Sequence, residues 1–136
     1  MENHFELSDA EFEQQFAACT LPSAVFSHEA HLRLTWIHIR KYGLEQALEN
    51  IQQQLQQYVI HLGVTEKYHK TLTIAAVKAV HHFISKSEAN NFRDFIQACP
   101  QLMTNFKELI NSHYSFDIFD SDQARMEYIA PDTKPF

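Results

Sequence analysis

The segment 44–62, LEQALENIQQQLQQYVIHL, is bracketed by the only two glycines of the chain, Gly43 and Gly63. Leu44, Ala47, Leu48, Ile51, Leu55, Tyr58 and Leu62 recur along it at the spacing of one helical face, and glutamines fill the opposite side. The pattern predicts a helix over Leu44–Leu62 that ends at Gly63. With only 2 Gly and 4 Pro in 136 residues, the rest of the chain also has few places to break a helix.

Five more helices are expected on the same grounds. The first opens at "SDAE", where Ser8 and Glu11 can cap each other, and carries Phe12 and Phe16 to about Ala18. Pro22 breaks the following connection, and Ser27 caps a second helix that stops at Gly43. Thr65 is read as the cap of a fourth helix over 66–86, with Leu72, Ala76, Val80 and Phe83 as its stripe. Shorter helices are expected over 89–98 and from Pro100 to about His113, and one turn near Ala124. The expected fold is all-α: one domain, 1–136, forming an up-down bundle of about four long helices, with the extended tail 114–136 packed on it.

Charge and composition exclude several functions. The net charge is −6, and Lys67, Lys70, Lys78 and Lys86 are dispersed, so no basic stripe is offered to nucleic acid. Cys19 and Cys99 are far apart, which fits neither a zinc knuckle nor a disulfide scaffold and favours a reducing cytoplasm. The opening "MENHFELSD" has no signal-peptide pattern, and no apolar run is long enough to span a bilayer. A cytoplasmic protein is expected, with a small molecule as ligand and neither membrane nor nucleic acid as partner.

The unusual number is nine histidines. Stepping 100° per residue along "FSHEAHLRLTW" places His28 and His31 with Leu32, Thr35 and Ile39, while Glu29, Arg33, Arg40 and Lys41 fall opposite. His69 aligns with Thr73, Ala76, Val80 and Phe83, and His113 follows Leu102, Phe106 and Leu109. These four are expected to face inward. His81 and His82 are expected on the wet side, His38 and His61 at helix borders, and His4 on a loose terminus. Antiparallel neighbours would bring the first turns of the second and fourth helices to one end of the bundle, so His28, His31 and His69 are expected to converge.

Three neutral imidazoles at helix N-termini suit one divalent metal ion (zinc, iron or nickel), with an open position for water or an anionic substrate. Hydrolysis or group transfer on a small anion is the chemistry this arrangement would serve, with Tyr68 and Thr73 as weak catalytic candidates. Tyr68, Cys19 and His113 are also considered as groups near the ion. Two alternatives stay open. One is metal-free base catalysis by a neutral histidine; the other is a non-catalytic module that binds a small ligand or a protein, its histidines structural.

Three stretches carry a resemblance: Phe26-x-His28-x-x-His31-Leu32, then Tyr68-His69-x-Thr71-x-Thr73, then Ala124-Arg125 followed by Pro131-Asp132. In this order they resemble a family of small bacterial all-helical proteins of unassigned function. The resemblance implies one shared constellation for His28, His31 and His69, and adds Arg125 and Asp132 to it. Cys19 and His113 lie outside the pattern, which lowers their claim as ligands. Fastening of the tail is the alternative role for Arg125 and Asp132. In architecture the expected bundle is similar to metalloproteins of the DinB type, a likeness that fixes no function.

Overall fold

A computed structural model describes residues 3–136, and these are helical with no strand among them. None of the described helices is long and apolar enough to cross a membrane. The chain divides into two compact units, the first ending at Tyr68 and the second spanning His69–Phe136.

In the first unit, α1 (Asp9–Ala17) opens with the expected reciprocal cap: Glu11 N–H donates to Ser8 Oγ at 3.2 Å and Ser8 N–H to Glu11 Oε1 at 2.9 Å. α2 (His28–Tyr42) starts at Ser27, whose hydroxyl accepts from Ala30 N–H at 3.1 Å. α3 (Leu44–Leu62) lies between the two glycines as expected, and Gly63 takes the left-handed conformation at φ +73°. Phe12, Phe16, Leu34 and Ile51 are fully buried. Phe16, Phe26 and Tyr58 form a ring cluster with centroids 4.7–5.4 Å apart, and the Tyr58 hydroxyl donates to Leu21 O at 2.8 Å.

The second unit begins with the main departure from the sequence reading. Thr65–Lys67 is a separate 3-10 turn of the first unit, and α4 covers Lys70–Ser85. His69 stands before α4 with extended backbone, φ −126° and ψ 107°. α5 (Phe92–Ala98) is capped by Asn91. The helix expected over 100–113 is two pieces, α6 (Gln101–Thr104) and α7 (Phe106–Asn111), because Asn105 leaves helical geometry at φ −129° and ψ 32°. A 3-10 turn at Ile118–Asp120 precedes α8 (Asp122–Met126), which supplies the turn expected near Ala124. Ala75, Ala79, Ile110, Tyr114, Ile118 and Ala124 form the core of this unit, with Leu72, Phe106 and Ile129 packed against it.

Candidate functional site

His69 uses both ring nitrogens on the main chain. Nδ1 accepts from Leu72 N–H at 3.0 Å, which makes the imidazole the N-cap of α4, and Nε2 lies 2.8 Å from Ile118 O, to which it donates. One nitrogen accepting and the other donating is the complement of a neutral ring. Its neighbours in the motif bond in the same manner. Thr71, fully buried, donates its hydroxyl to Glu127 O at 2.6 Å and accepts from Ile129 N–H at 3.0 Å. Thr73 donates back to His69 O at 2.7 Å, so its hydroxyl is engaged within α4. The catalytic role considered for Thr73 has no support in that bond.

The closing motif is tied down too. Asp132 accepts from Ser115 N–H at 2.8 Å and from the Ser115 hydroxyl. These bonds hold the Asp132 carboxyl below its ordinary pKa. Ala124 is fully buried, and the Tyr114 hydroxyl donates to Ile129 O at 2.8 Å. Burial, with Tyr128 and Asp132 adding to it, pushes the Tyr114 phenol up to about 12, so it serves as a neutral donor. His69 and Thr71 thus fasten the C-terminal tail through Ile118 O, Glu127 O and Ile129 N–H, and Asp132 closes the tail on Ser115, the alternative role named for Asp132 above.

The other two histidines of the expected cluster differ from each other. His28 is exposed in the first turn of α2, contrary to its inward assignment: the side buried in that turn is the one carrying Ala30, about 200° around the helix from His28. His31 stacks on Phe26 with ring centroids 5.4 Å apart. Its Nε2 is sealed from solvent and has no hydrogen-bond partner. Burial, with the neighbouring His28 adding to it, lowers the His31 imidazole to about 4, so the ring is neutral at pH 7. Tyr68 is half-buried at the end of the first unit, with extended backbone. Among the described residues, no three histidine, cysteine, aspartate or glutamate side chains are grouped to hold a metal ion.

Two buried polar clusters of the first unit escaped the sequence reading. His4, expected loose, is 2% exposed; its Nε2 donates to Glu29 Oε1 at 2.8 Å and its Nδ1 faces Arg33 Nη1 at 3.3 Å. Arg33, expected on the wet face, is 5% exposed and donates to His4 O, Leu7 O and Asp9 Oδ1 at 2.5–3.1 Å. Its guanidinium also lies over the Phe5 and Phe12 rings, at 5.8 and 5.1 Å. His38, expected at a border, is fully buried and meets Asn50 Nδ2 at 3.3 Å. Burial lowers its pKa, with Glu13 opposing and Lys41 adding to the shift. Burial alone would raise the Glu13 carboxyl, but bonds from the Tyr42 hydroxyl at 2.5 Å and Lys41 Nζ at 2.9 Å outweigh it and leave it lowered.

The second unit also holds a cavity of about 280 Å³ that none of the motifs marks. Ala79, Phe83, Leu109 and Phe136 give it apolar walls, and His82, His113 and Lys134 line it as well. His113, half-buried, stacks on Phe136 with centroids 3.9 Å apart, and its Nδ1 donates to Lys134 O at 3.0 Å. Comparison with family models, with curated proteins and with solved structures yields no match for the chain.

Proposed function

We propose that the protein is a non-catalytic module that binds a small molecule in the cavity of its second unit, and that the motif histidine His69 is structural. The observation that carries the reading is the cavity itself: concave, mostly apolar, with a few polar groups converging on it, as small-ligand sites are built. The bonds of His69 support the second half, since a ring engaged at both nitrogens has no lone pair left for an ion. The up-down bundle and the cytoplasmic, bacterial-type setting expected above go with this reading. The test is a fragment library of small organic molecules screened by amide NMR on the full chain. Saturable shifts confined to the residues around Phe83, Leu109 and Phe136 are expected. Shifts scattered over the surface, or none, would remove the reading.

A second reading keeps one divalent metal on α2. Its specific observation is the sealed, unpartnered Nε2 of a neutral His31 beside His28, the protonation state a ligand requires. Metal analysis of untagged protein distinguishes the two readings. Stoichiometric metal that is lost in His31→Ala favours the ion, and metal-free protein favours the ligand module.

A further inference from the structure

We propose that Tyr42 is a nucleophile that accepts an acyl group from an activated ester, with Glu13 as its base and Lys41 as the group that holds the base. The site lies in the first unit and takes up one acyl group per chain, so the ligand-binding reading of the second unit is not involved. Tyr42 closes α2 just ahead of Gly43 and is 41% exposed. Its phenol O–H donates to Glu13 Oε2 at 2.5 Å, and Lys41 Nζ donates to Glu13 Oε1 at 2.9 Å. A nucleophile within hydrogen-bond reach of a base, the base in turn oriented by a third group, is the arrangement by which side chains carry out covalent chemistry.

Each member is in the state the step needs. Burial alone would raise the Glu13 carboxyl, but the bonds from Tyr42 and Lys41 leave it lowered, so it is ionised at neutral pH and able to take the phenol proton. The bond to Glu13, followed by one with Tyr42, raises the pKa of Lys41. The amine therefore stays an ammonium and does not compete as nucleophile. It places positive charge beside the negative charge that develops as the acyl group adds. His38, fully buried, backs the Tyr42 ring at a centroid distance of 5.3 Å and is itself met by Asn50 Nδ2. The other tyrosines differ. Tyr58 and Tyr114 donate to the main-chain carbonyls of Leu21 and Ile129, and Tyr128 accepts from Lys78 Nζ at 3.2 Å. The Tyr68 oxygen is sealed from solvent.

Glu13 and Lys41 also line a groove of about 370 Å³ along α1 and α2, with Trp36 and Ile37 as its apolar part and the Arg40 guanidinium over the Trp36 ring at 5.0 Å. Asp9 and Glu13 balance Arg40 and Lys41 among its lining residues, so the groove favours an uncharged donor, a small aryl or alkyl ester. In the step the Tyr42 oxygen bonds to the ester carbonyl carbon, the bond from that carbon to the leaving oxygen breaks, and the leaving group takes that electron pair. The phenol proton passes to Glu13 Oε2 and then to solvent or to the leaving oxygen.

The experiment treats the full chain with p-nitrophenyl acetate at neutral pH, follows the release of nitrophenolate and locates the acyl group by peptide mass spectrometry. Hydroxylamine removes an acyl group from a tyrosine oxygen and leaves one on a lysine amine, so the two are told apart. Tyr42 is expected to be acylated ahead of the other tyrosines, about 10²-fold faster than N-acetyltyrosinamide, the low end of what a positioned general base contributes. Glu13→Gln, whose amide oxygen can still accept from the phenol, is expected to bring Tyr42 down to the rate of N-acetyltyrosinamide, and Tyr42→Phe to remove the ester altogether. Should Glu13→Gln fail to fold, Lys41→Met serves instead, and several-fold slower acylation of Tyr42 is expected. If Tyr42 reacts no faster than N-acetyltyrosinamide, or as fast in Glu13→Gln or Lys41→Met as in the parent, Glu13 only ties α1 to α2 and the assignment falls.

Discussion

Replacing Thr71 by valine keeps the shape of the side chain and removes one oxygen with two partners, Glu127 O at 2.6 Å and Ile129 N–H at 3.0 Å. A buried main-chain group left without a partner costs about 1–3 kcal/mol, so a tail held in place would lose about 2–6 kcal/mol in Thr71→Val. The tail can limit that loss. Glu127 is exposed and Ile129 half-buried, so lifting this segment returns both groups to water, at the cost of the Ile129 packing and the Tyr114 bond to Ile129 O. A net loss of about 2–3 kcal/mol is therefore expected. For a chain of this size each kcal/mol moves the Tm by about 3–5 °C, so thermal unfolding should shift down by about 6–15 °C. Hydrogen exchange supplies the local readout, with the Ile129 amide losing its protection first. Thr71→Ser, which keeps the oxygen and loses only a methyl group, should cost about 1 kcal/mol and leave that amide protected. If Thr71→Val melts within about 1–2 °C of the parent and Ile129 N–H exchanges as slowly as before, the hydroxyl does not hold the tail and the clasp is refuted.

Three further outcomes follow from the surroundings of His69, Arg33 and His31. His69→Ala should lose about 1–2 kcal/mol through the missing cap and the Ile118 contact, and His69→Asn should recover the capping part; a chelator-induced drop in Tm that vanishes in His69→Ala but persists in His31→Ala would contradict a structural His69. Arg33→Met should cost about 2–3 kcal/mol, below the usual 3–5 kcal/mol for one partner of a buried ion pair, because Asp9 is already 54% exposed and can regain water; faster proteolysis of the segment 3–8 is the accompanying sign, and unchanged proteolysis would count against the anchoring role. Acid sensitivity is expected from His31: with an ordinary pKa of 6.5 unfolded and about 4 folded, the unfolded chain binds the extra proton between these values, so its contribution is complete above about pH 6.5 and is lost as pH falls toward 4. That difference is worth about 3 kcal/mol, and His31→Phe should flatten the slope in urea titrations across this window.

Helix boundaries were legible where a few adjacent residues decide them. Ser8 with Glu11, Ser27, Gly43 and Gly63 all act where their chemistry places them. The start of α4 was not legible in this way. Thr65 looks like a cap and forms only a 3-10 turn, and the capping is done by the His69 ring, a residue type that capping rules do not single out. Its inward assignment assumed helical phase at a position whose backbone is extended. Arg33 and His4 were misplaced for a different reason. Helical phase shows which side of α2 is polar, but it cannot show that a separate segment with Phe5 and Leu7 folds over that side and makes it interior. The cavity left no signal at all, since His82, His113 and Lys134 come from three distant stretches with no shared spacing.

The stretches that looked most like a metal-binding pattern divide when their bonds are followed. Every motif side chain from His69 to Thr73 meets a main-chain group: Leu72 N–H and Ile118 O for His69, Glu127 O and Ile129 N–H for Thr71, His69 O for Thr73. A structural clasp places its own demands on residue type. Position 69 needs a side chain that accepts at one end and donates at the other, position 71 a small hydroxyl that does both, and position 132 a carboxylate facing the Ser115 amide and hydroxyl. Such demands restrict a sequence as tightly as catalysis does, so residue pattern alone does not separate the two causes. Perturbation does. A ligand or catalytic residue can be removed with the fold kept and the chemistry lost, whereas Thr71 and His69 should lose stability and tail order first. The same comparison applied to His31 should give a different result. Its Nε2 has no main-chain partner, so replacing it with phenylalanine removes no hydrogen bond at that atom. Stability near neutral pH should therefore hold in His31→Phe, and a collapse of the fold there would show that this ring too is structural.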